Sequence, residues 1–266
     1  MLELAKIAAR VAGAILRERH GQPHTIHYKG LRDITTEADL AAERAIIEII
    51  SLGCPGAKFI TEESHQAHQD LSGGPVWIID PLDGTSNFKH GLPEFSVSIG
   101  MAAGGELQVG AVYEPMTDQL FWAERSQGAF MNGTRLQVSN LGLEGAMIQQ
   151  DWPRQPGPRE RMLRYAQALS VPAECLRSCG SAALAFCAVA AGWAEAYIQL
   201  TLQPWDVAAG MLIIQEAGGV ATSLDGVSTD LFQPDWLASN GVIHDQLVAL
   251  LQAATDRPDH RASMGS

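Results

Sequence analysis

Chemistry in this chain is concentrated in the segment Ile79-Asp80-Pro81-Leu82-Asp83-Gly84-Thr85-Ser86-Asn87. Residues 76–79 before Asp80 are apolar without alternation, the pattern of a strand buried on both faces. Asp80 therefore ends a strand, and a tight turn presents Asp83 three residues later. Pro81 fixes the backbone after Asp80, and Gly84 permits a conformation that would strain other residues. Two carboxylates held this close repel one another, and the usual remedies are a shared proton or a bound cation. The Leu82 carbonyl adds a third hard oxygen. The N–H groups of Gly84, Thr85 and Ser86 form a nest for an anion beside it. Carboxylates, a carbonyl and an anion nest together suit Mg²⁺ carrying a phosphate.

Other acids join this segment from a distance. Glu62 and Glu63 follow a short apolar strand at 58–60, Asp33 and Asp39 flank Ile34-Thr35-Thr36, and Asp206 follows Pro204-Trp205 at the start of a helix. Alone, each has a plainer reading: an exposed loop for Glu62 and Glu63, a helix N-terminal charge for Asp39, a cap or first-turn acid for Asp206. Their joint occurrence favours one shared site.

The chain has 266 residues, 46% of them hydrophobic and 18% charged, with a net charge of −12. That composition is of a globular protein, and the negative balance argues against a nucleic-acid partner. Carboxylates do not bind phosphate directly, so an acidic phosphate site needs cations between the two. Cys54, Cys175, Cys179 and Cys187 have no zinc-site spacing and read as reduced thiols. His65, His68 and His90 lack the spacing of a zinc hydrolase and read as loop residues. No apolar run reaches the roughly 18 residues of a membrane span, and residues 1–20 lack a signal-peptide pattern. The expectation is a cytoplasmic protein without membrane contact.

The elements that must hold these residues follow from periodicity. Helices are expected at 2–20, 40–52, 159–169, 182–191, 207–217 and 243–254. Strands are expected at 58–60, 76–79, 95–102, 107–113, 119–123, 129–131, 146–150, 194–199, 220–223 and 237–239. Residues 21–33 are polar without clear period, and 256–266 read as a disordered tail. The fold class is α/β (α+β), in two linked halves at 1–143 and 144–255 with the site between them.

The ordered set Asp39, Glu62-Glu63, Asp80-Pro81-Leu82-Asp83-Gly84-Thr85, Trp205-Asp206 and Gly218-Gly219 resembles the inositol monophosphatase superfamily of lithium-sensitive, Mg²⁺-dependent phosphatases. Trp77-Ile78-Ile79 and Asn87-Phe88 are similar to its inositol monophosphatase branch. The resemblance covers nearly the whole chain. It implies a layered αβαβα sandwich of the inositol monophosphatase and fructose bisphosphatase type, and a homodimer. It implies two to three Mg²⁺ ions on Glu62, Asp80, the Leu82 carbonyl, Asp83 and Asp206. Water would attack phosphorus directly, with Thr85, Asp39 and Glu62 in catalytic roles, Glu63 in support, and Lys29 as the lysine of a loop over the site. Asp83, Gly84, Thr85, Ser86, Gly180, Ser181, Ala182, Gln199 and Asp206 would meet the substrate, a small phosphorylated metabolite. Gln199 stands where the inositol-preferring pattern has a glutamate. It keeps a carbonyl acceptor but loses the charge. Inositol phosphate, fructose 1,6-bisphosphate, histidinol phosphate and nucleotide 2′- or 3′-phosphates all stay open as substrates, as does an idle metal-binding scaffold.

Overall fold

The computed structural model describes residues 1–64 and 70–255. The expected tail and the reading of His65 and His68 fall outside these residues. In chain order the elements are α1 (Leu2–Arg19), β1 (Ile26–Gly30), β2 (Asp33–Thr36), α2 (Glu37–Gly53), β3 (Lys58–Thr61), β4 (Val76–Asp83) and α3 (Thr85–Lys89). The strands β5 (Ser96–Ala103), β6 (Glu106–Glu114), β7 (Gln119–Glu124), β8 (Gly128–Met131) and β9 (Thr134–Arg135) follow. The remainder is β10 (Met147–Gln150), α4 (Pro156–Leu169), β11 (Cys175–Arg177), α5 (Ala182–Ala190), β12 (Ala196–Gln199), α6 (Pro204–Glu216), β13 (Val220–Ser223), β14 (Trp236–Ser239) and α7 (His244–Thr255).

Five layers result. A seven-stranded sheet runs in the order β3-β4-β5-β6-β7-β8-β9, and a five-stranded sheet in the order β11-β10-β12-β14-β13. α1 and α2 cover one face of the larger sheet, where Trp77 and Ile79 of β4 meet Ala8, Ala12, Ile46 and Ile50. Val76 and Ile78, pointing the other way, meet α5 and α6. β4 thus needs apolar residues on both sides, which explains its unbroken hydrophobic run. α5 and α6 fill the space between the sheets, since Phe186 also packs on Tyr197 of β12. Ala196 and Ile198 face the opposite way, toward α4 and α7. The order α, β, α, β, α is the layered sandwich expected. No helix among the described residues is long and apolar enough to cross a membrane.

Five elements, β1, β2, α3, β9 and β11, escape the sequence pattern, and α2 starts earlier than expected. β1, within the polar stretch 21–33, pairs antiparallel with β2 and is exposed at four of its five positions, so no alternation marks it. β11 is a three-residue edge strand, too short to carry a period. α2 begins at Glu37 because Thr36 caps it: the Thr36 hydroxyl accepts the Ala38 N–H at 3.2 Å, and Asp39 accepts the Thr36 N–H at 2.9 Å. Its first turn is acidic, so the apolar stripe starts later than the helix.

Candidate metal centre and active site

β3 and β4 run parallel, as do β10, β11 and β12. Their carboxyl ends open into one cleft of about 980 Å³. Crevices beyond the ends of parallel strands are the usual ligand sites of α/β folds.

The placement of Asp80 and Asp83 depends on a bulge. In a regular strand, residues three apart point to opposite faces. Here Asp80 lies opposite Ser98 and Asp83 opposite Ser96, so β4 spends three steps where β5 spends two. The extra residue turns both carboxylates to the same side. Gly84 then leaves the strand at φ +95°, and a Cβ there would lie 3.0 Å from the Glu94 carbonyl oxygen. A side chain at that point would be strained and crowded at once.

Carboxylate oxygens of Asp80, Asp83 and Asp206 lie within 4.8 Å of one another. Asp206 is the third residue of α6, whose first residue is Pro204, and it accepts the Gln203 N–H at 2.7 Å. Asp80 accepts the Leu82 N–H at 2.9 Å. Asp83 accepts the N–H of Ala183 at 2.8 Å and of Ala182 at 3.2 Å, and the Ser181 hydroxyl donates to it as well. No lysine or arginine among the described residues pairs with any of the three.

The electrostatic consequence is severe. Burial, then the charges of Glu62, Asp83 and Asp206, push Asp80 well above the usual carboxylate range. Burial lifts Asp83 to about 6 despite its three donors. Burial and the charges of Asp83 and Glu62 lift Asp206 to about 8. Three mutually repelling hard oxygen donors with no protein cation among them fit a divalent cation such as Mg²⁺.

Glu62 reaches the same place from β3. Its N–H donates to the Ile79 carbonyl at 3.2 Å, which sets it beside Asp80. Its carboxylate lies outside the tight trio and takes the Lys29 ammonium at 3.0 Å, with the Arg154 guanidinium at 4.0 Å. Lys29 also touches Glu63 at 3.0 Å and Asp33 at 3.9 Å. Burial works against the charge on Lys29, yet Glu62 and Glu63 together raise its pKa. Thr85 donates to the Leu82 carbonyl at 3.0 Å and reaches Asp39 Oδ1 at 3.3 Å. Asp39 is fully buried, and burial lifts it to about 7 against the pull of its Thr36 donors.

On the opposite wall Gly180, Ala182 and Gln199 line the cleft, as do Gly84, Thr85 and the exposed Ser86. Ser181 does not line it; its hydroxyl donates to Asp83 and accepts the Leu184 N–H as the cap of α5. The Gln199 Oε1 is buried without a partner. Gly180 sits at φ +79°, and a Cβ there would strike the Asn87 side chain at 2.7 Å. That contact is needed, because Asn87 donates to both the Glu94 and Cys179 carbonyls and so ties the two sheets together.

The profile of the Inositol monophosphatase family matches residues 1–256. The chain belongs to this family. It is 34% identical over 250 residues to the fructose-1,6-bisphosphatase/inositol-1-monophosphatase of Thermotoga maritima, covering 93% of this chain and 94% of that one. It is 40% identical over 229 residues to the Nus factor SuhB of Haemophilus influenzae, covering 85% of each. Among solved structures, the extragenic suppressor protein suhB from Bartonella henselae superposes with a TM-score of 0.89 at 35% identity, covering 94% of this chain and 97% of that one.

Several residues of this family member belong to the site without having stood out in its sequence. Asp151 follows the end of β10 as Glu62 follows the end of β3, while β4 runs on past the expected end at Asp80 to Asp83. Asp151 is buried, accepts the Gly180 N–H at 2.8 Å and is raised by that burial. An acid at the carboxyl end of a strand was the available signal. Glu43 accepts the Glu63 N–H at 3.1 Å and the Ser64 hydroxyl at 2.6 Å, steadying the loop that carries Glu62. Arg154 pairs with Asp33 at 2.9 Å from within a Pro/Gly-rich loop where nothing marked it.

Proposed function

We propose that the protein is a Mg²⁺-dependent phosphatase that hydrolyses a phosphomonoester of a small polar metabolite, inositol monophosphate or a related polyol or sugar phosphate. The observation that carries this reading is the cluster of Asp80, Asp83 and Asp206 within 4.8 Å, beside the Thr85–Asp39 pair. Glu62, Asp80, the Leu82 carbonyl, Asp83 and Asp206 would hold two to three ions. Bound Mg²⁺ neutralises charge on phosphoryl oxygens and eases deprotonation of water.

The chain's own residues do the rest. Thr85 orients the attacking water, and Asp39 takes the proton that its hydroxyl passes on. An Asp39 raised to about 7 is matched to accepting a proton near neutral pH. The N–H groups of Gly84, Thr85 and Ser86 receive the phosphoryl group. Lys29, carried on the exposed strand β1, balances Glu62 and Glu63 and closes that side of the cleft. Gly180, Ala182 and Gln199 face the alcohol portion, and Gln199 offers its unpartnered carbonyl to a hydroxyl. Phosphoryl transfer asks mainly for such positioning and charge stabilisation.

In this reading 1–143 supplies most ion ligands and 144–255 supplies Asp206 and the substrate wall. The protein acts as a cytoplasmic homodimer, and Li⁺ inhibits it by taking a Mg²⁺ position. Relatives at 37–40% identity bear the name Nus factor, which supports a second reading: a role that needs no turnover. Phosphate release from inositol 1-phosphate, fructose 1,6-bisphosphate, histidinol phosphate and 3′-phosphoadenosine 5′-phosphate, with Mg²⁺ and with chelator, separates the two. Mg²⁺-dependent release establishes the phosphatase. Silence on the whole panel from folded protein favours the second reading.

A further inference from the structure

One turn of chain, Cys179-Gly180-Ser181, meets the site in three places. The Cys179 carbonyl accepts the Asn87 carboxamide at 2.8 Å, and Asn87 belongs to α3, which starts at Thr85. The Gly180 carbonyl presses on Gly84, where an added Cβ would lie 3.3 Å from it. The Ser181 hydroxyl donates to Asp83. A turn with these contacts must be held in place, because a misplacement of about 1 Å can cost roughly a hundredfold in rate.

The hold comes from one side chain. Asp151, just past β10, is buried, and its Oδ1 accepts the Gly180 N–H at 2.8 Å. Its Oδ2 takes the Tyr197 hydroxyl at 3.4 Å, so the carboxylate is braced from the neighbouring strand β12. Gly180 sits at φ +79°, one of several conformations open to a glycine, and the bond from Asp151 selects it.

The segment 179–183 is thus gripped by two buried acids from different sheets. Asp151, at the end of the smaller sheet, takes the Gly180 N–H. Asp83, at the end of β4, takes the N–H groups of Ala182 and Ala183 with the Ser181 hydroxyl. A plain loop staple would also explain a buried acid, and Glu195 is one. It is buried at the other end of β10 and β12, accepts the Met147 N–H at 2.7 Å and the Ser139 hydroxyl at 2.8 Å, and neither partner lines the cleft. Asp151 differs because the backbone it holds continues directly into the grip on Asp83.

We propose that Asp151 is a positioning residue for the acid cluster: by fixing the turn at Gly180 it holds Ser181 and the first N–H groups of α5 on Asp83. The proposal rests on the phosphatase reading for what Asp83 does, but not for how Asp83 is held.

The test uses the full chain in chelator, with amide hydrogen exchange of Ala182 and Ala183 as the readout. These two N–H groups bond to Asp83 and not to Asp151, so their exchange reports the grip itself. In Asp151→Ala they are expected to exchange about tenfold faster than in the wild type. Asp151→Asn keeps an oxygen for the Gly180 N–H and should restore wild-type exchange. Glu195→Ala loses comparable bonds outside the cleft and should leave it unchanged. With Mg²⁺, Asp151→Ala should hydrolyse inositol 1-phosphate about tenfold more slowly. It should also need several-fold more Mg²⁺ for half of its thermal shift, and Asp151→Asn should restore both.

Unchanged exchange in Asp151→Ala, equal acceleration in Glu195→Ala, or no recovery in Asp151→Asn overturns the proposal. So does wild-type turnover by Asp151→Ala when the wild type is active. Should Asp151→Ala not fold, Asp151→Ser, whose hydroxyl is one bond too short for the Gly180 N–H, is read in the same way. A chain that folds with neither makes Asp151 a folding residue only and overturns the proposal. Silence of the wild type on the ester counts against the phosphatase reading alone, and the exchange arm still decides the role of Asp151.

Discussion

Ser181 donates its hydroxyl to Asp83 across 98 residues of chain, and the N–H groups of Ala182 and Ala183 complete the grip on the same carboxylate. The first turn of α5 thereby aims an acid that belongs to β4. Asp83 is oriented from the interhelical layer, while its backbone is held by the larger sheet.

Ser181→Ala is expected to lower turnover about tenfold, because Asp83 keeps its amide donors but loses the hydroxyl that fixes one oxygen. The same change removes the cap of α5 and should cost about 1 kcal/mol of stability. Steady-state kinetics and thermal unfolding on one preparation check both halves. Normal kcat with lowered stability would reduce Ser181 to a cap.

Asp206→Asn should separate stability from activity. Asn keeps an oxygen for the Gln203 N–H and removes one charge from a crowded trio. In chelator the variant is expected to melt at or above the wild-type temperature. Its gain in melting temperature on adding Mg²⁺ should shrink, and turnover should fall at least a hundredfold. A variant less stable than wild type without metal would contradict the assigned repulsion.

The free acids also set a pH dependence. Asp83 and Asp206 are raised from 3.8 to about 6 and about 8. A raised carboxylate means that the folded chain binds protons more tightly than the unfolded one, so its contribution is full below about pH 4 and is lost as pH climbs through 6 and 8. In chelator the melting temperature should therefore drop between about pH 5 and pH 8.5. The increment from saturating Mg²⁺ should grow over the same interval. Differential scanning fluorimetry across that range decides it, and an increment independent of pH counts against the scheme.

Thr85→Ala is expected to reduce kcat by about two orders of magnitude while the thermal shift produced by Mg²⁺ is retained. The hydroxyl bonds to Asp39 and to the Leu82 carbonyl, and the substitution leaves every carboxylate in place. Loss of the Mg²⁺ shift would assign Thr85 to ion binding instead.

Gln199→Glu places a charge where Gln199 now holds an unpartnered buried carbonyl. The ratio of kcat/KM for inositol 1-phosphate over fructose 1,6-bisphosphate should rise several-fold. An unchanged ranking of substrates would show that this side chain does not meet the substrate.

Much of this was legible because it is local. The acids of 80–83 announce themselves through a strand end, a proline and a glycine, and β4 through an apolar run buried on two sides. Asp39 and Glu62 were legible only through their order relative to that segment, since each alone is an ordinary helix or loop acid. What stayed hidden is relational. Lys29 is carried on β1, a strand exposed at four of its five positions, so no periodicity betrays it. Ser181 looked like a lining residue because its neighbours Gly180 and Ala182 are, but the start of α5 turns its side chain back toward Asp83. That Gln149 and Arg177 stand side by side on the cleft wall follows from the register of two parallel strands, which no single stretch of sequence contains.

The bulge in β4 bears on how such a protein changes over evolutionary time. Side-chain replacements around Pro81 and Leu82 leave the count of residues intact, so both acids continue to meet. Loss of one residue there would keep the apolar run of β4 serviceable up to Asp80 and swing the next acid to the wrong face. Length, more than identity, is what inheritance must preserve in this segment. The edge strand β11 reaches the same cleft through Arg177 and carries none of these acids, so a replacement there disturbs neither the count nor the cluster.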